Sequence, residues 1–182
     1  MKITKISKDT LIPTIWDGGE TFEYYIYPEN TLYANRDFLF RISAAAIKKV
    51  PSTFTKFKNY QRFLVMLDND LSININGKDE HYTPKDIFKF DSGNDIISYT
   101  KGNDFNLMVS KNLEEAYVFF LKDTVQLNES FIFFFALNDT SVEVNNDKIN
   151  LKKSDLLLIE NKDRLDIILK SESLVLGASL IV

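Results

Sequence analysis

The chain of 182 residues has no cysteine, which excludes disulfides, thiolate metal sites and cysteine nucleophiles. It has one histidine, His81, so any site built on several histidines is excluded. Ser-His-Asp chemistry would have to run through that single residue. Twenty-two basic residues face 26 acidic ones, a formal net charge of −4. That balance lacks the basic footprint of a nucleic-acid binder, so no nucleic-acid partner is expected. Residues 1–10 mix Lys, Ser and Thr with isolated Ile, and no apolar leader core follows. The expectation is a cytoplasmic protein without a secretory signal. The longest strongly apolar run, residues 131–137, is too short to cross a bilayer as a helix, which takes about 20 residues. No membrane partner is expected.

Short β-branched and aromatic runs recur between clusters of Asn, Asp, Gly and Ser, the pattern of an all-β sandwich or barrel. Leu71-Ser72-Ile73-Asn74-Ile75 alternates apolar and polar residues, then meets Asn76-Gly77. That pair is a strong hairpin signal, because a type I′ turn needs positive φ at both central residues. Val142-Glu143-Val144 alternates likewise and meets Asn145-Asn146. The two hairpins lie 69 residues apart. At that offset Ile73 falls on Val142, Asp86 on Asp155, Phe90 on Ile159, and Phe63–Met66 on Ile132–Phe135, without a gap. An internal duplication of one β unit is the reading. Each copy has the outline of a cupin half, so the expected architecture is an all-β bicupin. Two small jelly-roll barrels are expected, over residues 1–109 and 110–182. Phe131–Leu137 and Leu156–Ile159 are apolar enough to be strands buried on both faces.

The metal chemistry of cupins has no residues to run on. It takes two histidines one residue apart, a carboxylate and a third histidine. His81 sits in the polar stretch Lys78-Asp79-Glu80-His81-Tyr82, which reads as a surface hairpin. No metal and no cofactor are expected. The remaining polar constellation is different. Thr21 and Glu23 alternate with Phe22 and Tyr24; Arg41 and Ser43 alternate with Phe40 and Ile42; Arg62 precedes the apolar Phe63–Leu67. Strand periodicity puts each alternating pair on one face. An arginine at a barrel mouth offers a planar fork of donors suited to a carboxylate. Either Glu23 pairs with Arg41 or Arg62 as scaffolding, or an arginine holds a carboxylate ligand. Both hold if one arginine is paired and the other free. Gly18-Gly19, next to Trp16, allows a turn or close backbone approach to a ligand.

These residues carry a family resemblance. Trp16-Asp17-Gly18-Gly19-Glu20-Thr21-Phe22-Glu23 resembles the Trp-x-Asn-Gly-Gly-Gly-x-Thr-x-Glu opening of the HutD/Ves family. Phe40-Arg41-Ile42-Ser43-Ala44-Ala45 resembles its Trp/Phe-Arg-x-Ser-x-Ala strand. Residues 51–57, followed by Arg62–Leu67, resemble its Gly-Pro-Phe-Ser-x-Phe…Arg-x-Leu segment. Asp104-Phe105-Asn106-Leu107-Met108 matches its Asp-Phe-Asn-Leu-Met signature residue for residue. The order holds from about Thr10 to Val109; the second half matches by pattern only. The sequence departs from the family in Glu20, where a third glycine is usual, and in Lys85-Asp86, where the family has Gly-Asp.

The resemblance implies a bicupin fold and a link to histidine utilisation. It implies a ligand site in the first barrel, where an arginine meets a carboxylate such as formate or N-formylglutamate; that arginine maps onto Arg62. The candidate ligand-binding residues are Arg62, Arg41, Thr21, Ser43, Glu23, Gly18, Gly19 and Trp16. Asn106 is expected to brace the wall of the site or to touch the ligand. The leading function is a metal-free binder of a small carboxylate, such as N-formylglutamate or urocanate, in a sensing or moderating role. The alternative is a metal-independent isomerase or hydrolase with Glu23 as general base. A protein-interaction module with a vestigial site is a third reading. Pairing of two copies is expected by analogy with other cupins.

Overall fold

A computed structural model describes residues 1–182. Strands hold 60% of them and helix 3%, so the chain is all-β. Seventeen strands follow one another. The first nine are β1 (Lys2–Ile6), β2 (Thr14–Trp16), β3 (Gly19–Tyr27), β4 (Phe40–Ile47), β5 (Ser52–Thr53), β6 (Tyr60–Met66), β7 (Leu71–Ile75), β8 (Lys78–Tyr82) and β9 (Phe88–Asp91). Then come β10 (Ile96–Ser98), β11 (Gly102–Ser110), β12 (Glu115–Leu127), β13 (Phe131–Ala136), β14 (Thr140–Val144), β15 (Asp147–Leu151), β16 (Leu156–Glu160) and β17 (Ile167–Ile181). No helix is long and apolar enough to cross a membrane.

The chain divides into two compact units. Leu11–Asn112 form one, here the motif unit; Met1–Thr10 and Leu113–Val182 form the other, the C-terminal unit. This differs from the expected division at 109/110, which left residues 1–10 with the first barrel. The reason is pairing: β1 runs antiparallel to β16, Lys2 opposite Glu160 through Ile6 opposite Leu156. Lys5 also reaches Asp155. Local pattern carries no information about a partner more than 150 residues away.

The motif unit has two sheets. One runs β2-β3-β4-β11-β6-β9, the other β5-β10-β7-β8. Leu64, Met66, Phe88 and Phe90 of the first pack with Leu71, Ile73 and Ile96 of the second. That cluster marks the inner face of each sheet. β4, β6 and β11 are central and buried on both faces, which explains why Ile42, Phe63 and Leu107 are as enclosed as their inward neighbours.

The C-terminal unit is a single seven-stranded sheet, β1-β16-β13-β17-β14-β15, with β12 also on β17. Its core is mainly apolar, with Ile132, Phe134, Ala136, Val142, Val144, Leu157, Ile159 and Val175 packed together.

Both expected hairpins form. Asn76 and Gly77 adopt φ of 50° and 87°, and Asn145 and Asn146 adopt 49° and 77°. Positive φ at two successive residues is the I′ requirement. β7–β8 and β14–β15 have the same bounds 69 residues apart. So do the turns that follow. Asp86 accepts the Thr83 N–H at 2.6 Å, and Asp155 accepts the Lys152 N–H at 3.0 Å. These bonds to Thr83 hold the Asp86 carboxyl below the usual range.

The ungapped match fails at one place. Arg62, Leu64 and Met66 face inward on β6, whereas Ile132, Phe134 and Ala136 face inward on β13. The face-for-face offset there is 70, not 69. The connection after β13 is one residue shorter than that after β6. A one-residue slip moves every side chain to the opposite face.

Candidate functional site

The site is built on three adjacent strands of the motif unit. Antiparallel register stacks inward residues in rungs. Met108 of β11 lies opposite Arg41 of β4 and Arg62 of β6. Asn106 lies opposite Ser43 and Leu64, and Asp104 opposite Ala45 and Met66. β3 extends two rungs, with Glu23 beside Ser43 and Thr21 beside Ala45. A bulge after Glu23 then shifts the register. The alternation expected for 21/23 and 41/43 is therefore what positions the site.

The two arginines differ in their partners. Arg41 is 8% exposed, and its Nε donates to Glu23 Oε2 at 2.6 Å. A second guanidinium N–H donates to Ser43 Oγ at 3.1 Å. The Tyr33 ring lies 4.3 Å below the guanidinium carbon. Arg62 is 6% exposed and meets no carboxylate at ion-pair distance. Its Nε donates to Ser92 Oγ at 2.8 Å and a terminal N–H to the Thr55 carbonyl at 2.6 Å. Phe57 stands 5.6 Å from it. Burial lowers the Arg62 pKa, the Arg41 charge adds to that, and the side chains of Tyr33 and Asp104 oppose it. Tyr33 thus stacks on Arg41 and acts electrostatically on Arg62.

Asp104 is the third buried charge-bearing group. It is 3% exposed, and burial pushes its carboxyl up to about 7. The Ala45 N–H and the charge of Arg62 pull it down, and Asp68 pushes it up. Near neutral pH the interior holds two arginines against Glu23 and a partly ionised Asp104. The balance is positive. Arg41 meets its counter-charge, Glu23, directly, whereas Arg62 and Asp104 act on each other without an ion-pair contact.

The remaining candidates lie apart from this group. The Trp16 indole N–H donates to Thr21 Oγ1 at 3.1 Å, which ties β2 to the Asp104 rung. Gly18 and Gly19 make their close approaches within the protein. A Cβ at Gly18 would overlap the Trp16 ring, and one at Gly19 the Ala46 carbonyl oxygen. The Gly18 carbonyl accepts the N–H groups of Lys48 and Lys49. Neither has positive φ. The backbone approach expected toward a ligand is thus occupied by the chain itself. His81 is exposed on β8, with Nδ1 3.0 Å from Ser72 Oγ. No group of three or more His, Cys, Asp or Glu is placed to hold a metal.

Sequence reasoning missed Tyr33, Thr55, Ser92 and Asp104 as parts of the site. Asp104 had a signal, since it alternates with Phe105 and Leu107 inside an apolar run. Thr55 acts through its carbonyl, which no side-chain pattern reveals. Tyr33 opens a short 3-10 helix, Tyr33–Asn35, and Ser92 sits in a turn.

Comparison with known proteins adds the following. The curated proteins include no match to the chain. Among solved structures, the conserved protein of unknown function PA5104 from Pseudomonas aeruginosa PAO1 superposes with a TM-score of 0.87 at 18% identity, covering 100% of both chains. HutD from Pseudomonas fluorescens SBW25, in a formate condition, gives 0.81 at 19%, again over 100% of both. The Escherichia coli pirin YhhW, in complex with nickel(II), gives 0.68 at 11%, covering 99% of each. These likenesses describe the fold: all-β, with a nearly closed barrel and cupin-fold neighbours. The HutD family model matches residues 9–176, nearly the whole length, and so the chain belongs to the HutD family.

Proposed function

We propose that this chain binds a small carboxylate in the motif unit, without a metal, in a sensing or moderating role. The observation that carries the reading is Arg62, a buried guanidinium that lacks a carboxylate partner. Arg41 is already committed to Glu23, so Arg62 is the group with charge to offer. Ser92 and Thr55 hold it in one orientation, and a planar fork held still favours bidentate recognition. Family membership supports a histidine-degradation intermediate, such as N-formylglutamate or urocanate, as the ligand. The repeated hairpins and Asp turns support the bicupin reading, in which both units descend from one cupin-like ancestor. A cytoplasmic location and pairing of two copies belong to the same reading.

Thermal unfolding against formate, urocanate, N-formylglutamate, glutamate and histidine tests it, with Arg62→Ala in parallel. A ligand at about 100 times its Kd stabilises by about 2.7 kcal/mol, roughly 5–10 °C for this size. A shift in wild type that vanishes in Arg62→Ala supports the reading. No shift for any member, with both proteins folded, rejects it. The enzymatic alternative uses Glu23 as general base, and the Glu23 carboxylate already accepts a hydrogen bond from Arg41. Turnover of any panel member lost in Glu23→Gln would restore it.

A further inference from the structure

The interior that holds Arg62 also holds three enclosed oxygen atoms with no hydrogen-bond partner: Asp104 Oδ1, Asn106 Oδ1 and Ser52 Oγ. Buried polar atoms in folded proteins are almost always paired, so three orphans in one interior need an explanation.

Register places all three on the inner face. Asp104 and Asn106 occupy successive inward rungs of β11, next to the rung of Arg41 and Arg62. Ser52 comes from the opposing sheet. It lies opposite Ser98, Ser98 lies opposite Ile73, and Ile73 packs on Leu64 and Met66. Asp104 is 3% exposed and Ser52 7%, so bulk water does not serve them freely. Asp104 and Arg62 also act on each other electrostatically, which puts both ends in one field.

The two ends differ in chemistry. Arg62 and Arg41 supply donors and positive charge. Once ionised, above about pH 7, the Asp104 carboxylate accepts only, as the Asn106 amide oxygen does, so this end asks for a donor. Inward rungs are spaced about 6.7 Å apart, which puts the backbones of Asp104 and Arg62 roughly 13 Å apart, less the reach of the arginine side chain. Formate, or any simple carboxylate, would satisfy the arginine end and leave the acceptors orphaned.

Resting on the carboxylate reading above, we infer that the ligand is bifunctional. Its carboxylate meets Arg62, and a hydrogen-bond donor at its far end, a hydroxyl, amide N–H or ammonium, meets Asp104 and Asn106. The Asp104 end is then the specificity determinant, because a ligand without the donor leaves buried acceptors unpaired.

The test is titration calorimetry of the full chain with three probes of one skeleton: butyrate, 4-hydroxybutyrate and 4-aminobutyrate. Wild type is expected to bind at least one donor-bearing probe about ten-fold or more tighter than butyrate. Asp104→Asn keeps an acceptor but loses the charge, and should selectively lose any advantage of the ammonium over the hydroxyl. Arg62→Ala should weaken every probe that binds. The comparison within wild type needs no variant to fold. Equal affinities for all three probes, all lost in Arg62→Ala, overturn the bifunctional ligand and leave the carboxylate site standing. A donor preference that survives intact in Arg62→Ala overturns the carboxylate site instead. No binding of any probe at millimolar concentration overturns the inference. If the carboxylate panel is silent as well, the reading beneath it falls too.

Discussion

In the C-terminal unit, β17 carries Gly177 between Phe119 of β12 and Phe134 of β13. In the motif unit, β11 holds the same place in the pairing order and carries Asn106 between Ser43 and Leu64. The neighbouring rungs differ in the same sense. Val175 lies between Leu121 and Ala136, whereas Asp104 lies between Ala45 and Met66. Ser179 lies between Tyr117 and Ile132, whereas Met108 lies between two arginines. Phe119 packs against Phe134 edge-on, with ring centroids 6.4 Å apart, and a Cβ at Gly177 would overlap its ring. One interior is filled by aromatic rings over a glycine. The other gives the same three positions to Asn106, Ser43 and Leu64. The backbone ladder accommodates both because it fixes only which residues share a rung, not what they are.

The physical lesson is a division of labour. A buried phenylalanine stabilises by transfer and close packing. A buried arginine without an ion-pair partner costs desolvation, which neutral hydrogen bonds such as those of Arg62 to Ser92 and Thr55 offset only in part. Three experiments would break or sharpen this contrast. Phe134→Ala, at 0% exposure, should cost about 3–5 kcal/mol, read as a fall in the denaturation midpoint. A loss below about 1 kcal/mol would mean that the C-terminal core is looser than its packing indicates.

The second experiment concerns pH. Asp104 binds its proton more tightly folded than unfolded, because its folded pKa is raised from 3.8 to about 7. Its contribution therefore lowers stability as pH rises from about 4 to about 7, by at most about 1.4 kcal/mol per pH unit, and is constant above. Asp104→Asn should remove that slope. The same slope in both proteins would mean that Asp104 is ionised throughout the range.

The third is a matched pair of substitutions. Gly177→Ala should cost about 1–3 kcal/mol by overpacking against Phe119. Asn106→Ala should cost less than about 1 kcal/mol, because its side-chain oxygen has no partner to lose. Equal costs would erase the distinction between the two interiors.

Much of the fold was legible because its signals are local. Asn76-Gly77 and Asn145-Asn146 reach positive φ by their own chemistry, and alternation at 71–75 and 142–144 needs only neighbouring residues. Arg41, Ser43, Thr21 and Glu23 faced inward as period two required. The one-residue difference between β6 and β13 was not legible, since apolar residues flank both faces there and any register looks alike. Nor was the role of Gly18 and Gly19, because a glycine pattern does not say whether a ligand or the chain's own carbonyl comes close.

By itself, then, the sequence determined the strands, the hairpin turns and the absence of any thiol, and it set which residues alternate on each strand face. Each of these depends on composition or on contacts within a few residues. Only tertiary structure decided that Arg41 takes Glu23 while Arg62 has no carboxylate at ion-pair distance, that Tyr33 stacks on Arg41, and that β1 belongs with β16. Those outcomes depend on pairing between distant segments, where many registers satisfy the local pattern and packing selects one.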